Sequence, residues 1–168
     1  MIAGCYRFGQ YAASAATRQA EAARLNVTLM GSGAILTEVI KAAQLLALQG
    51  VDATVISVTS WSELTRQAHS NAQDEAAAAG GADSAKRGAQ AFVTAQLLRT
   101  QGPIVAATDY VRAVPESIRA YLPPGRSYTT LGTDGFGRSD TRAALRKHFS
   151  VDAASIERAA LHALHAQH

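Results

Sequence analysis

The sequence predicts an α/β fold of three layers, in which a mostly parallel sheet is covered by helices on both faces. Two observations predict this fold class. Short apolar runs alternate along the chain with longer stretches of helical periodicity, and 48% of the 168 residues are hydrophobic. Strands that alternate with helices usually pair in parallel. The length suits a single domain that buries a core without disulfide or metal support.

The first half of the chain contains two predicted strands separated by a helix. An apolar run over 27–30 predicts a strand that stops at the small residues 31–33. Apolar residues then recur at helical spacing over 35–47, and Gly50 ends that helix as a C-terminal cap. The stretch 53–58 is rich in β-branched residues, as a buried strand should be.

The second half repeats the alternation. Strands are predicted at Ile104–Ala107 and at 127–131, and between them a helix begins at Pro115 and is stopped by the turn residues 123–125. Further helices are predicted over 89–99, over 141–149 and over 153–166, the last one capped by Asp152.

Two segments lack a clear periodic signal. Residues 1–24 predict a linker or a loosely held helix. The Ala- and Gly-rich segment 72–88 predicts a mobile loop or a weak helix. We find no internal repeat.

Composition excludes several classes of function. The formal net charge is only +3, from 16 basic and 13 acidic residues, and no basic block stands beside aromatics, so nucleic-acid binding is not expected. No apolar run approaches the roughly 20 residues that cross a bilayer. Cys5 is the only cysteine, which excludes an intrachain disulfide and indicates a reducing compartment. We therefore expect a cytoplasmic protein without a catalytic cysteine.

The loops that leave the carboxyl ends of parallel strands gather at one edge of the sheet, where open α/β sheets commonly bind ligands. One hypothesis is a phosphate site at the turn 31–33, although this turn matches neither the dinucleotide nor the phosphate-loop motif. A second is an acid–base pair formed by Asp109 and Asp134. The alternative, which we favour, is that each acid caps its own loop or pairs with Arg112, Arg138 or Arg142.

The remaining candidates have structural interpretations. His162, His165 and His168 are three residues apart on the last helix, but without further ligands in register a solvated helix face is the better interpretation. The larger aromatic residues are expected in the core or at an interface rather than in a base-stacking platform. These residues are Trp61, Tyr110, Tyr121, Tyr128 and Phe149.

The stretch 131–142, Leu-Gly-Thr-Asp-Gly-Phe-Gly-Arg-Ser-Asp-Thr-Arg, is the most informative part of the chain. Its glycines permit close approach of the backbone, Ser139 or Asp140 can cap the helix that begins with Thr141, and Phe136 and Arg138 are typical anchor residues of interfaces. The predicted interface or ligand-binding edge comprises Thr108, Asp109, Tyr110, Thr133, Asp134, Gly135, Phe136, Gly137, Arg138, Ser139 and Asp140.

The same stretch resembles a segment of the homodimeric thiamine-diphosphate-dependent pyruvate dehydrogenases, the decarboxylating first component of the pyruvate dehydrogenase complex. Three further blocks, at 29–36, 57–66 and 105–112, resemble that family in the same order. The resemblance covers most of 25–166 and is to the third domain of the family, a transketolase-like C-terminal domain. It implies that 1–24 is the end of a preceding domain and that 25–168 is the domain itself.

The resemblance also implies a function. Such enzymes are oxidoreductases that decarboxylate pyruvate and transfer the acetyl group to lipoyl groups of the dihydrolipoyl acetyltransferase complex. They hold thiamine diphosphate and magnesium between their first two domains, and the Gly-Asp-Gly motif of that site is absent here. We therefore expect no catalytic, cofactor-binding or metal-binding residue in this chain. Its expected role is contact and support, in a homodimer or with the thiamine-binding domains.

The chain departs from the family over 67–92, where an aromatic insert containing Asn and Pro is missing. Two other hypotheses therefore stay open. The chain could be an independent α/β protein that binds a small molecule at the carboxyl edge, or an inactive remnant.

Overall fold

The computed structural model describes residues 4–14, 25–79 and 90–166. These residues form one five-stranded sheet in the order β1-β3-β2-β4-β5, in which β1 is antiparallel to β3 and the other neighbours are parallel. The strands are β1 (Cys5–Tyr11), β2 (Leu25–Ser32), β3 (Val51–Val58), β4 (Ile104–Ala107) and β5 (Tyr128–Leu131).

Helices follow the strands and cover both faces of the sheet. They are α1 (Leu36–Leu48), α2 (Trp61–Ala79), α3 (Phe92–Leu97), α4 (Ala113–Glu116), α5 (Arg142–His148) and α6 (Ala153–His165), with single 3-10 turns at Gly33–Ile35 and Arg119–Tyr121. None of the helices in the described ranges is long and apolar enough to cross a membrane.

The core lies in two layers, one on each face of the sheet. Alternate residues of β2 point to opposite faces: Val27 and Leu29 pack with the α1 and α6 side, whereas Met30 packs with the α2 and α3 side. The predicted three-layer α/β fold with a mostly parallel sheet is therefore confirmed, and so are the four parallel strands. Asp152 caps α6 as expected, because its carboxylate accepts a hydrogen bond from the Ser155 backbone amide (3.3 Å).

The first strand differs from the sequence-based expectation. Within the region expected to be a linker or a loose helix, Cys5–Tyr11 forms an edge strand paired with β3. An irregular register between Arg7 and Gly9 interrupts the alternation that identifies a strand in sequence. The Ala13 backbone amide donates to the Asp52 carboxylate (2.8 Å) and fixes the end of the strand. The division into 1–24 and 25–168 remains a prediction.

Two other segments differ in detail. The single helix expected from Pro115 onward is instead the short α4 followed by a 3-10 turn. The helix ends early because side chains donate to its carbonyls: the Tyr128 hydroxyl to that of Pro115 (2.8 Å) and the Ser117 hydroxyl to that of Val114 (2.7 Å). Part of the segment expected over 72–88 is helical, since α2 extends to Ala79. Residues 80–89 lie outside the described ranges.

Candidate interaction surface

The carboxyl ends of the central strands meet at one edge, as the parallel topology predicts. The buried hydroxyls of Ser32, at the end of β2, and Thr108, just after β4, are 2.7 Å apart. The Thr108 amide donates to the carbonyl of Leu131, the last residue of β5 (3.1 Å). These two bonds hold the three strand ends together and determine where the loops begin.

The loops after β4 and β5 bind each other closely. The Thr133 amide donates to the Tyr110 carbonyl (2.9 Å), and the Thr133 hydroxyl donates to the Asp109 carbonyl (2.8 Å). Gly132 makes this approach possible, because a Cβ at that position would lie 2.7 Å from the Tyr110 carbonyl oxygen and 2.8 Å from the Arg112 amide nitrogen. The two predicted parts of the edge, 108–110 and 133–135, are thus one joined structure.

Asp134 is committed to an ion pair. Its carboxylate accepts a hydrogen bond from the Arg112 backbone amide (2.8 Å) and a second, close one from the Arg112 guanidinium. These hydrogen bonds hold the pKa of Asp134 below its usual range. This geometry favours pairing with Arg112, the alternative preferred on sequence, over an acid–base pair with Asp109.

Asp109 itself lies over the turn at Gly33. A Cβ built on Gly33 would lie 3.2 Å from a carboxylate oxygen of Asp109. A carboxylate in this position repels phosphate, so the geometry disfavours a phosphate site at the 31–33 turn.

Beyond Asp134 the loop leaves the body of the protein. Phe136 is 96% exposed, and its neighbours at the same edge, Tyr110 and Val111, are about half exposed (59% and 48%). Large exposed apolar side chains of this kind are typical of interaction surfaces. No residue from Thr133 to Ser150 is buried.

The helix that follows is held by polar contacts rather than by packing. The N-cap of α5 is Thr141, whose hydroxyl accepts from the Ala144 amide (3.3 Å), and not Ser139 or Asp140 as expected. The Asp140 carboxylate instead accepts from the Thr141 amide (2.7 Å). No residue of α5 is buried.

Glu38 anchors α5 to the body. Its carboxylate, only 9% exposed, accepts from Arg146 (2.9 Å) and from the Ala153 backbone amide (3.1 Å), and it pairs with Lys41 (3.1 Å). One acidic group of α1 thus joins α5 and α6.

Arg138 lies against the far end of α5. One of its guanidinium nitrogens is 3.1 Å from Nδ1 of His148, whose ring packs edge-on against Phe149 with the centroids 4.9 Å apart. An open depression of about 300 Å³ lies beside this contact, and Arg112, Asp134 and His148 are among its lining residues.

The sequence did not single out Glu38, Lys147 or His148. The run Arg146-Lys147-His148, which has no acid beside it, was the signal that could have identified the basic end of α5. The role of Glu38 in joining α5 and α6 had no sequence signal, because Arg146 and the Ala153 amide lie more than 100 positions away along the chain.

The other candidates take structural roles. Cys5 is buried, and burial raises the pKa of its thiol to about 11, which suppresses nucleophilic reactivity at neutral pH. Trp61 and Tyr128 are buried in the core, as expected for aromatic packing. Among the described residues no three His, Cys, Asp or Glu side chains are grouped to hold a metal, and His168 lies outside that part of the chain.

Comparison with known proteins identifies the family. The sequence model of the Transketolase-like TK C-terminal domain matches residues 9–152. The pyruvate dehydrogenase E1 component of Haemophilus influenzae is 45% identical over 137 residues, or 81% of this chain and 15% of the relative. That of Mycobacterium tuberculosis is 40% identical over 166 residues, or 98% of this chain and 16% of the relative. The chain thus spans about 15% of the length of these relatives.

Solved structures show the same fold. A transketolase from Leishmania mexicana superposes with a TM-score of 0.56 at 17% identity, over 98% of this chain and 18% of the transketolase. A split gene transketolase, described as an inactive beta4 tetramer, gives a TM-score of 0.55 at 17% identity, over 87% of this chain and 41% of its own.

Proposed function

Because the chain belongs to the family of transketolase-like C-terminal domains, we propose that it is the C-terminal domain, or a separate C-terminal subunit, of a pyruvate dehydrogenase E1 component. The identity of 40–45% to the C-terminal region of E1 components supports this assignment. In the proposed enzyme, pyruvate is oxidatively decarboxylated in the cytoplasm and its acetyl group passes to the lipoyl groups of the acetyltransferase complex.

The role proposed for this chain is contact with the thiamine-binding domains, directly or within a dimer, and their support. One observation carries this proposal: the segment from Thr133 to Ser150 is built by specific hydrogen bonds, yet none of its residues is fully buried and Phe149 alone among its side chains packs against the core. A segment that is held in place but contributes little to the core is suited to meeting another surface. Phe136 and Arg138 are the proposed anchors of this contact.

The cofactors are assigned to the partner domains. The magnesium ion that holds the diphosphate of thiamine diphosphate needs several oxygen ligands from the protein at one point. Of the two carboxylates at the carboxyl edge of the sheet, that of Asp134 is paired with Arg112, which leaves the Asp109 carboxylate beside Gly33 as a single ligand. The donor set at this edge does not fit a magnesium diphosphate, so we derive no catalytic step from these residues.

A chimera tests the proposal. The whole chain replaces the matched C-terminal region of the Mycobacterium tuberculosis relative, and turnover is measured with pyruvate, thiamine diphosphate, magnesium and an artificial electron acceptor. We expect turnover by the chimera and none above a protein-free blank by the 168-residue chain alone. Turnover by the chain alone would contradict the assigned role. So would a chimera that is folded and monodisperse but inactive.

A second candidate function is favoured by one feature. Ser150, which lines the depression beside His148, has a φ of +57°, and it is the only non-glycine residue with positive φ in the described ranges. This φ belongs to the end of α5, where the Ser150 amide donates to the Lys147 carbonyl (3.2 Å) and the Val151 amide to the Arg146 carbonyl (2.9 Å), so the feature that favours a site is the open depression of about 300 Å³ itself. A thermal-shift screen with nucleotides and 2-oxo acids would reveal an independent small-molecule site through a saturable rise in the melting temperature.

A further inference from the structure

The segment from Thr133 to Ser150 carries an imbalance of charge that its own contacts do not neutralise. Of its two acids, Asp134 pairs with Arg112, whereas Asp140 accepts a hydrogen bond from the neutral Thr141 amide and so offsets one positive charge of the segment. Of its cations, Arg146 is paired with Glu38.

Three cations are left over. Arg138, Arg142 and Lys147 are exposed and form no ion pair with any residue in the described ranges. Arg138 instead faces the imidazole of His148, a group that gives a guanidinium no negative charge. They share one segment with Phe136, which is 96% exposed.

A second copy of this segment is a poor partner for such a surface. A twofold dimer interface brings the same patch of both subunits together, so Arg138, Arg142 and Lys147 would approach their own copies. Like charges placed together in an interface are costly. The charge pattern therefore points to a different, acidic surface.

The strand β1 begins at the same edge of the sheet as the loop that carries Phe136. The carbonyl of Gly4 accepts hydrogen bonds from the amides of Thr59 and Ser60, just after the carboxyl end of β3 (2.9 and 3.0 Å). Because β1 is antiparallel to β3, the polypeptide enters the fold at the carboxyl edge. β5, whose loop carries Phe136, lies at the other side of the sheet with three strands between it and β1, and both meet the same carboxyl edge.

We propose that Phe136 inserts into an apolar pocket on the thiamine-binding part of the enzyme and that Arg138, Arg142 and Lys147 face carboxylates around that pocket. This inference rests on the proposed function and names the chemistry of the partner: an apolar depression with an acidic rim, and not a second copy of the same loop. Charge complementarity of this kind steers association and weakens with salt, whereas the apolar anchor does not depend on salt.

Arg142→Glu in the chimera is the sharpest test. Arg142 is the first residue of α5, where an acid interacts favourably with the helix dipole, so the substitution reverses the charge without weakening the helix. We expect about a tenfold loss of turnover at low salt and a clearly smaller loss at high salt. Arg142→Lys should retain activity. Arg99→Glu, an exposed charge reversal near the amino end of the sheet, should have no effect.

Phe136→Ser provides the complementary measurement. It should lower turnover about tenfold at both low and high salt, because an apolar anchor is lost rather than a charge. The melting temperature of each variant of the free chain should stay that of the parent, which separates loss of contact from loss of folding.

Several results would overturn the inference. A chimera that is active but indifferent to both Arg142→Glu and Phe136→Ser would refute it while leaving the proposed function intact. A loss with Arg142→Glu that does not change with salt would also refute it. So would binding of the chain to vesicles of phosphatidylglycerol and phosphatidylcholine that Arg142→Glu abolishes without any change in the chimera, because the basic surface would then be a membrane contact.

Discussion

The two ends of the sheet are built in opposite ways. At the amino end, Arg126 turns inward and its guanidinium is used completely by groups of the same chain. At the carboxyl end, Phe136 turns outward and Arg138 contacts His148 without an acidic partner in the described ranges, while the loop that carries them is held at its base by Asp134 and Thr133. The difference teaches that this chain closes one end of its sheet with its own groups, whereas the other end carries exposed groups for which we propose a partner.

Arg126 closes the amino end of the sheet through its hydrogen bonds. It donates six hydrogen bonds, which connect the region before β4 and the end of α3 to β2. Burial lowers the pKa of its guanidinium to about 10, so the group stays charged at neutral pH. The acceptors are the carbonyls of Leu97, Thr100, Gln101 and Gly102 and the hydroxyls of Thr28 and Thr100.

Replacing Arg126 should lower the free energy of unfolding more than the other substitutions below. Arg126→Ala removes the guanidinium donors of the Thr100 and Gly102 carbonyls and one of the donors of the Leu97 and Gln101 carbonyls, and we expect the free energy of unfolding to fall by about 3 kcal/mol. Urea unfolding followed by circular dichroism measures this loss. Arg99→Ala is the matched control, since Arg99 is exposed nearby, and it should leave the unfolding midpoint unchanged. Equal urea midpoints for Arg126→Ala and Arg99→Ala would contradict the difference between the two ends of the sheet.

Glu38 should have the next largest effect, because it is the one buried acid that holds the carboxyl-end helix α5. Glu38→Gln weakens its bonds to Arg146 and to the Ala153 amide, and we expect a loss of about 1–3 kcal/mol in the same urea experiment. The control is Glu63→Gln, which removes the exposed pair with Arg66 and should leave the midpoint unchanged. A Glu38 variant as stable as the parent would show that α5 does not need this anchor.

The ion pair of Asp134 with Arg112 should affect the local stability of the loop after β5 and not the free energy of global unfolding. The pKa of Asp134 is lowered in the folded protein by hydrogen bonds from Arg112, so the contact contributes above the ordinary carboxyl range and is lost as pH falls through the lowered pKa. We expect backbone hydrogen exchange over 134–141, corrected for its intrinsic pH dependence, to rise several-fold on acidification. Asp134→Asn should show the fast exchange already at neutral pH, with the urea midpoint unchanged. Exchange that is equally slow in parent and variant would contradict the assignment.

Sequence reasoning succeeded where the core determines local structure. The four parallel strands and the helices α1 and α6 were predictable because their apolar side chains recur with the period of a strand or a helix. The edge strand β1 was not, because its irregular register hides the alternation and its partner β3 lies about 50 residues further along the chain. Strand pairing over such a separation leaves no mark in a single sequence.

The same limit applies to the surface. The location of the loops followed from parallel topology, and the pairing of Asp134 with Arg112 was one of the stated alternatives. The contact of Arg138 with His148 depends on where α5 lies, which is determined by Glu38 from a distant helix. Whether the edge residues meet a partner, as predicted, is still to be tested by the chimera.

The segment from Thr133 to Ser150 lies on the surface of the protein, and this has a consequence for how such proteins diverge in sequence. Substitutions at its exposed positions, such as Phe136 and Arg142, do not disturb the hydrophobic interior and so cost the fold little, whereas Arg146 and Phe149 of the same stretch are tied to the body by Glu38 and by core packing. Exchanging the segment between homologues should therefore change which partner surface is bound, as the exchange of binding loops does in antibodies.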